Sequence, residues 1–435
     1  MKVRLLLLYL LISIYTPLLA QFNQPSPKYE ARAVWLTTIG GIDWPHSYAQ
    51  TPSSIDRQKR ELVAILDKLQ KAGINQVLLQ TRIRATTIYP SVYEPWDGCL
   101  SGRPGKSPGY DALAFAIDEC RGMELHAWVV AIPVGKWNGA GCRNLRKRNL
   151  KMLKRIGDEG FLNPEMPQTA GYIADICEEI VRNYDVDGIH LDYIRYPENW
   201  NIKVTPTQGR SFITRIVKAI HDRIKPIKPY VKLSSAPIGK HDDLTRYQSY
   251  GWNAYRRVCQ DAQGWLRDGL MDQLFPMMYF QGRQFFPFAI DWSENSYGRI
   301  VTPGLGIYFL SPKEKDWPLE IITREMHVLR QYGLGHAFFR SKFFTDNTKG
   351  IYDFTLKHNA SPALVPPMTW ASSTAPAAPT CLALGRNHVL TWQKTVTGGD
   401  IYYNVYSSPS HPVDITDGRN LIAARVSGNA VKVGN

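Results

Sequence analysis

The stretch VDGIHLDYIRYP, residues 186–197, is where the reading of the fold begins. Its apolar residues suit a buried strand, yet it carries Asp187, His190, Asp192 and Arg195. Successive side chains of a strand point to opposite faces, so Ile189 and Leu191 share one face and His190 and Asp192 the other. In a barrel of parallel strands the apolar pair packs under helices and the ionisable pair faces the lumen. Asp192 then stands nearer the C-terminal rim, where such barrels carry their sites. Asp187, at the opposite end, reads as a structural group that caps the preceding turn.

Seven further apolar stretches extend the pattern: RAVWLTT (32–38), NQVLLQTR (75–82), ELHAWVVAIP (124–133), YVKLSSAPI (230–238), MDQLFPMMYF (271–280), RIVTPGLGI (299–307) and GHAFFRS (335–341). Most are too short for helices and too apolar for strands with one wet face, which suits parallel strands covered on both sides. Amphipathic helical patterns lie between several of them, for example residues 55–73, with Leu62, Ile65, Leu66 and Leu69 at helical spacing before Gly73. Strands alternating with helices predict an α/β fold of the (β/α)₈ TIM-barrel type over residues 27–360. No glycine-rich phosphate loop follows the first strand, which argues against an open dinucleotide-binding sheet, and no cofactor is expected.

The chain ends are different. Residues 1–20 have Lys2 and Arg4, an apolar run and a small-residue site at Ala20, the pattern of a secretory signal peptide. The mature protein is therefore expected to be exported, without a transmembrane segment. A Pro/Ala/Ser-rich linker (361–380) leads to residues 381–435, whose runs HVLTWQK, IYYNVYSS and NLIAARV read as antiparallel strands. They predict a small β-sandwich-like segment, fibronectin type III-like and incomplete, since a full sandwich takes roughly 100 residues. Of the six cysteines, Cys99 and Cys142 lie in Gly-rich polar loops and are the expected disulfide, while Cys120, Cys177 and Cys259 read as buried thiols. The net charge of +14 favours an acidic partner, and export argues for an anionic glycan rather than nucleic acid. The basic run RNLRKRNLKMLKR (143–155) holds much of the excess and reads equally as a solvated helix face. A monomer is expected.

Alternation in the other strands fills out a candidate pocket. QVLLQTR groups Leu78, Gln80 and Arg82, with Arg84 just beyond; ELHAWVV groups His126 and Trp128; LFPMMY groups Phe275, Met277 and Tyr279. Aromatic faces beside hydrogen-bonding groups suit sugar rings. Taken singly, His126 and Trp128 read equally well as satisfied core groups.

The stretches EARAVWLTTIGGIDWP (30–45), QTRIRATTIYPSVYEPW (80–96), SPGYDALAFAIDECRGMELHAW (107–128), LNP (162–164), VDGIHLDYIRYP (186–197) and QDAQGWLRDGLMDQLFPMMY (260–279) together resemble the glycosyl hydrolase-like family 10 of bacteria. The resemblance implies a TIM barrel, an envelope location and glycoside hydrolysis, with cell-wall glycan stripped of peptides as the substrate. Trp96, Asn163, Tyr193 and Arg195 lie in the matching stretches and join Gln80, Arg82, Arg84, His126, Trp128, His190 and Tyr279 as candidate substrate contacts. VDGIHLDYI also resembles the fourth strand of chitinase-type barrels, but Ile194 stands where those carry the acid.

Glycoside hydrolysis usually takes two carboxyl groups flanking the bond. Asp192, placed by Arg82 and His190 and ionised, is the first candidate, and Glu94 is the second, with Glu198, Asp242, Asp243 and Asp291 as alternatives. Asp261 reads instead as a helix cap. The competing readings are a catalytically inactive glycan-binding barrel and a metal-dependent deacetylase using His126, His190 and Asp192.

Overall fold

The computed structural model describes residues 26–433 except 121, 248, 250, 373, 375 and 395–400, so the segment 1–20 lies outside the described residues. The chain forms two compact units, one of Glu30–Ala360 with Val365–Pro376 and one that includes Ser361–Leu364 and Ala377–Asn435. The stretch 361–380 is therefore shared between them.

The larger unit is built on β1 (Arg32–Leu36), β2 (Gln76–Arg82), β3 (Glu124–Val130), a three-stranded ribbon of β4 (Pro133–Lys136), β5 (Leu153–Ile156) and β6 (Glu159–Leu162), then β7 (Gly188–Asp192), β8 (Lys232–Ser235), β9 (Gln273–Leu274), β10 (Ile300–Val301), β11 (Gly304–Leu305) and β12 (His336–Phe338). Nine of these make one parallel sheet in the order β10-β9-β8-β7-β3-β2-β1-β12-β11. Its outermost strands, β10 and β11, are separated in the chain only by Thr302 and Pro303, so the sheet curls until one segment carries both edges. Pro303 has no N–H to give, which fits the break between the two short pieces. The fold is thus mixed α/β around a curled parallel sheet.

Every residue of β1, β2, β3 and β7 is buried, as expected of strands covered on both faces. The two faces feed separate apolar clusters. Ile189, Leu191, Val77 and Leu79 pack outward with helical residues such as Leu62, Leu66 and Leu69. Trp35, Leu78, Trp128, Val130 and Phe275 pack inside the curl. The helices start where local chemistry directs. Thr51 and Thr205 form capping boxes with Ser54 and Gln208, each followed by a proline in the first turn, opening Pro52–Lys71 and Pro206–Ile224. Asp261 caps Ala262–Arg267 by accepting from the Gly264 N–H at 3.1 Å. Asp187 accepts from the Leu125 N–H at 2.9 Å and so ties the N-terminal ends of β7 and β3.

The expected Cys99–Cys142 disulfide is absent. Both are buried free thiols, Cys99 in the turn Gly98–Ser101 and Cys142 in the helix Ala140–Asn149, where an added Cβ on Gly160 would come within 2.6 Å of its sulfur. The polar, glycine-rich sequence around them concealed two short elements with buried sides. Cys120, Cys177 and Cys259 are buried thiols too.

In the smaller unit, β13 (Thr380–Leu384), β14 (Val389–Gln393) and β17 (Ala430–Lys432) form one antiparallel sheet, and β15 (Tyr402–Tyr406) and β16 (Leu421–Ser427) form another. The buried Trp392 meets Tyr403 edge-on at 4.9 Å between ring centroids. Among the described residues no helix is long and apolar enough to cross a membrane.

Candidate active site

The C-terminal ends of the parallel strands surround a cavity of about 510 Å³. β7 delivers Asp192 to it. Side-chain alternation along Gly188–Asp192 sends Ile189 and Leu191 to the helices and His190 and Asp192 inward, with Asp192 in the last position. Register pairs Asp192 with Val130 at the end of β3, two positions beyond the Trp128–His190 pair. Trp128 Nε1 donates to Asp192 Oδ2 at 3.3 Å, and the Tyr193 backbone N–H donates to Oδ1 at 2.7 Å. The latter needs the sharp turn made by Tyr193, whose φ is +51°. Asp192 is only 9% exposed. Burial pushes its pKa up to about 6, against the opposing influence of Arg195 and the two hydrogen bonds. The sequence reading has Arg82 and His190 place Asp192 and keep it ionised; its partners are instead Trp128, Tyr193 and Arg195, and burial outweighs them in setting the pKa.

Arg195 is buried, pairs with Glu198 Oε1 at 2.6 Å and lies 4.4 Å from the Tyr193 ring centroid, and its Nε has no partner. Glu198 is about half exposed, lines the same cavity and raises the Asp192 pKa through its charge. Tyr279 lines the cavity against Phe339 and Tyr308, and its phenol is held well above the usual range by burial and by Asp192. Gln80 lines the cavity while its side-chain Oε1 accepts from the Thr38 and Ile39 N–H groups at 3.0 and 2.9 Å. The structure therefore brings Gln80, Arg84, Trp128, Asp192, Tyr193, Arg195 and Tyr279 together.

His190 lies one layer below. Its Nε2 accepts from Trp35 Nε1 at 3.0 Å and its Nδ1 faces Ser234 Oγ at 3.1 Å, while burial, then His126, hold its pKa well below the usual range. It is a neutral prop edge-on to Trp128. His126 points inward too, but two positions further down. It belongs to a polar floor with Glu124 at 3.1 Å, Gln76 at 3.4 Å, and Lys232 bound to Glu124 at 2.7 Å. His126, His190 and Asp192 thus occupy three levels and make no common ligand set.

Arg82 and Glu94 do not line the cavity. A bulge at Thr81 breaks the β2–β3 register, so Arg82 pairs with the outward Val129. Its guanidinium lies under the helices, donating to both Glu94 oxygens at 2.7–3.0 Å and to the Val130 and Ala131 carbonyls. Tyr172 donates to Glu94 Oε1 at 2.7 Å as well. Glu94 is a buried structural partner rather than a rim carboxylate. Trp96 and Asn163 also lie elsewhere: Trp96 packs half-buried beside Thr87, and Asn163 Oδ1 accepts from the Glu165 N–H at 3.1 Å before the helix Pro167–Asn183. What the sequence reading missed is the wall supplied by β6, Glu159, Gly160 and Phe161. A signal existed in Gly157-Asp158, a two-residue hairpin turn between LKRI and EGFL.

One group with metal-ligand spacing exists among the described residues: Glu30, His336 and His358. Both Glu30 oxygens are already bound by Arg32 and Arg330 at 2.6–2.7 Å, and two guanidiniums oppose a cation there.

A buried carboxyl at the rim of a curled parallel sheet, among aromatic rings and arginines, is the setting of a hydrolase that acts on glycans, and the family of the chain carries that class. The chain belongs to the glycosyl hydrolase-like 10 family, whose model matches residues 30–208 and 205–309. It is 31% identical over 390 residues to glycosyl hydrolase YngK of Bacillus subtilis (strain 168), covering 80% of this chain and 76% of that one. It is 29% identical over 289 residues to glycosyl hydrolase DigH of Escherichia coli (strain K12), covering 57% of this chain and 65% of DigH, somewhat less than two thirds of that relative. The fold is similar to the PgaB (BpsB) glycoside hydrolase domain from Bordetella bronchiseptica, with a TM-score of 0.52 at 12% identity over 75% of this chain and 98% of that one. It is also similar to α-L-fucosidase isoenzyme 2 from Paenibacillus thiaminolyticus, with a TM-score of 0.50 at 14% identity over 76% and 50%.

Proposed function

We propose that this glycoside hydrolase is exported and cleaves anionic bacterial cell-wall glycan, specifically peptidoglycan strands freed of their peptides, with Asp192 as the proton-transferring group. The observation that carries the reading is the setting of Asp192: a buried rim carboxyl near pKa 6, hydrogen-bonded by Trp128, beside an arginine with an unused donor. A group half-protonated near pH 6 can give a proton to a leaving sugar oxygen and take one back. Glu198 replaces Glu94 as the second carboxyl, because it lines the cavity and interacts with Asp192 while Glu94 is committed to Arg82. Trp128, Tyr193, Tyr279 and Phe339 supply apolar faces for sugar C–H groups, and Arg84 and Arg195 supply charge for a muramic carboxylate. Unmodified strands suit this site, since stem peptides occupy the carboxylate that the arginines would bind.

The test is release of reducing ends by the purified protein from peptide-free strands, set against intact peptidoglycan. Binding without product would favour an inactive binder; equal product from both polymers would remove the preference for bare strands.

A further inference from the structure

A second cavity, of about 620 Å³, adjoins the first, and the two share Arg84 and Gly135. Together they exceed the roughly 300–1,000 Å³ of a single small-molecule site. The shared point is firmly built. Arg84 follows the β2 bulge, and its neighbour Ala85 turns at φ +57°. A Cβ on Gly141 would come within 2.5 Å of the Arg84 and Ala85 carbonyl oxygens, so only glycine lets the helix Ala140–Asn149 press on this turn. Gly135, at φ +79°, lies against the Arg84 side chain, where an added Cβ would meet it at 3.1 Å.

Arg84 is also the cation left unanswered. Among the described residues around the second cavity, Lys136 pairs with Asp158 at 2.8 Å and His46 with Glu61. Both Asp97 oxygens are taken, one by Thr86 Oγ1 at 2.6 Å and one by the Cys99 N–H at 2.8 Å. Among the described residues, the exposed Arg84 has no ion pair or side-chain hydrogen bond. Further along the same cavity Tyr48 rests on Gly102, where a Cβ would come within 2.9 Å of the ring, yet the residue is 58% exposed. A large ring held in place and left open to water at a cavity wall is a platform for an apolar face. The wall then runs through Gly139–Gly141 into the basic stretch 143–155, where Arg146 stacks on Trp137 at 4.7 Å.

We infer that this second cavity is a further sugar-binding subsite, in which Tyr48 stacks on one residue of an anionic glycan chain and Arg84, at the junction, pairs with its carboxylate. The inference rests on the glycan reading above and deepens it: the enzyme engages at least two consecutive sugars and prefers long, carboxylated strands to short or neutral ones.

The experiment measures binding of the full chain, carried in an Asp192→Asn background so that turnover is slow against binding, to peptide-free glycan strands. Three ligands are compared: long strands, the disaccharide unit, and long strands with the muramic carboxylates reduced to alcohols. Tyr48→Ala should weaken binding of long strands roughly tenfold, and Arg84→Gln should weaken carboxylated but not reduced strands to a similar extent, the loss typical of truncating an aromatic or arginine anchor. Tyr332→Ala, an exposed tyrosine at the N-terminal ends of the strands, serves as the control for nonspecific loss, and thermal unfolding checks that each variant is folded. Long strands that bind the Tyr48 variant, whose side chain lines only the second cavity, as tightly as the parent would overturn the subsite alone. Glycan that neither binds nor is cleaved by the wild type would bring down the proposed substrate together with the subsite.

Discussion

Replacing Asp192 by Asn should stabilise the protein while it disables it. Burial pushes the Asp192 carboxyl from its ordinary 3.8 up to about 6 in the folded chain, because it disfavours the charge. A native group that holds its proton more tightly than the unfolded chain lowers stability as pH rises between the two values. The penalty is absent below about pH 4 and fully present above about pH 6; two pKa units correspond to roughly 3 kcal/mol. Asn removes the charge and so the penalty. It retains an acceptor for the Tyr193 N–H but turns an NH₂ toward the Trp128 indole N–H, a lost hydrogen bond worth roughly 1 kcal/mol. The net gain at pH 8 is about 2 kcal/mol, or roughly 3 °C in Tm for a unit of this size. At pH 4 the gain should vanish or turn into a small loss. Thermal unfolding of both proteins across this range reads the difference directly, while turnover should drop on the order of 10²-fold or more at all pH values. A variant less stable than wild type at pH 8, by an amount unchanged at pH 4, would refute the burial argument. Near wild-type turnover would remove Asp192 from the chemistry.

The other predictions separate the three acidic residues and the charge of the site. Glu94→Gln should cost about 3–5 kcal/mol in urea unfolding, because it leaves Arg82 buried without its counter-charge; unchanged stability with a catalytic loss like that of Asp192→Asn would return Glu94 to the mechanism. Glu198→Gln should lower kcat on the order of 10²-fold with a smaller loss of stability than Glu94→Gln, since its carboxylate is half exposed and Asp192 still faces Arg195; full activity would leave Asp192 to act with a different partner. With Asp192 as proton donor, kcat/KM should decline as pH rises through about 6, and that limb should be missing from the residual activity of Asp192→Asn. Raising salt from low to about 0.5 M should increase KM for muramic-acid strands and spare neutral ones, because the site's arginines act through screened charge.

The sheet was legible because burial on both faces leaves strands almost wholly apolar, and the few ionisable exceptions then mark where each strand leaves the core. Strict alternation placed Asp192, Trp128 and Tyr279 at the cavity for that reason. It failed where the backbone departs from alternation or where depth matters. Extended past Thr81, it carried Arg82 inward, while the bulge turns that side chain under the helices to Glu94. Parity gave His126 the correct face but no level, and two strand positions, roughly 7 Å, separate the floor from the layer of Trp128. The β6 wall was hidden for another reason. EGFL is four residues long, and its pairing is set by the Gly157-Asp158 turn more than by any apolar pattern of its own.

The same departures from regular geometry that defeat the pattern also build the site. A strand that ended by simple alternation would deliver one inward side chain per two residues and then leave the rim. At β7 the left-handed turn of Tyr193 folds its N–H back onto Asp192, fixing the carboxyl, and sets its ring beneath Arg195. At β2 the Thr81 bulge and the left-handed turn at Ala85 take Arg82 away and present Arg84 to the cavity instead. Each is a non-glycine backbone held at positive φ, a conformation that costs on the order of 1 kcal/mol or more and persists only when its surroundings fix it. Here they are fixed by contacts that no pattern search weighs: Gly141 pressing on the Arg84–Ala85 carbonyls, and the Tyr193 N–H bound to Asp192. Substituting Gly141 by Ala should therefore displace Arg84 and weaken binding of carboxylated strands, while leaving the hydrogen bond from Trp128 to Asp192, and with it the pH dependence of turnover, in place.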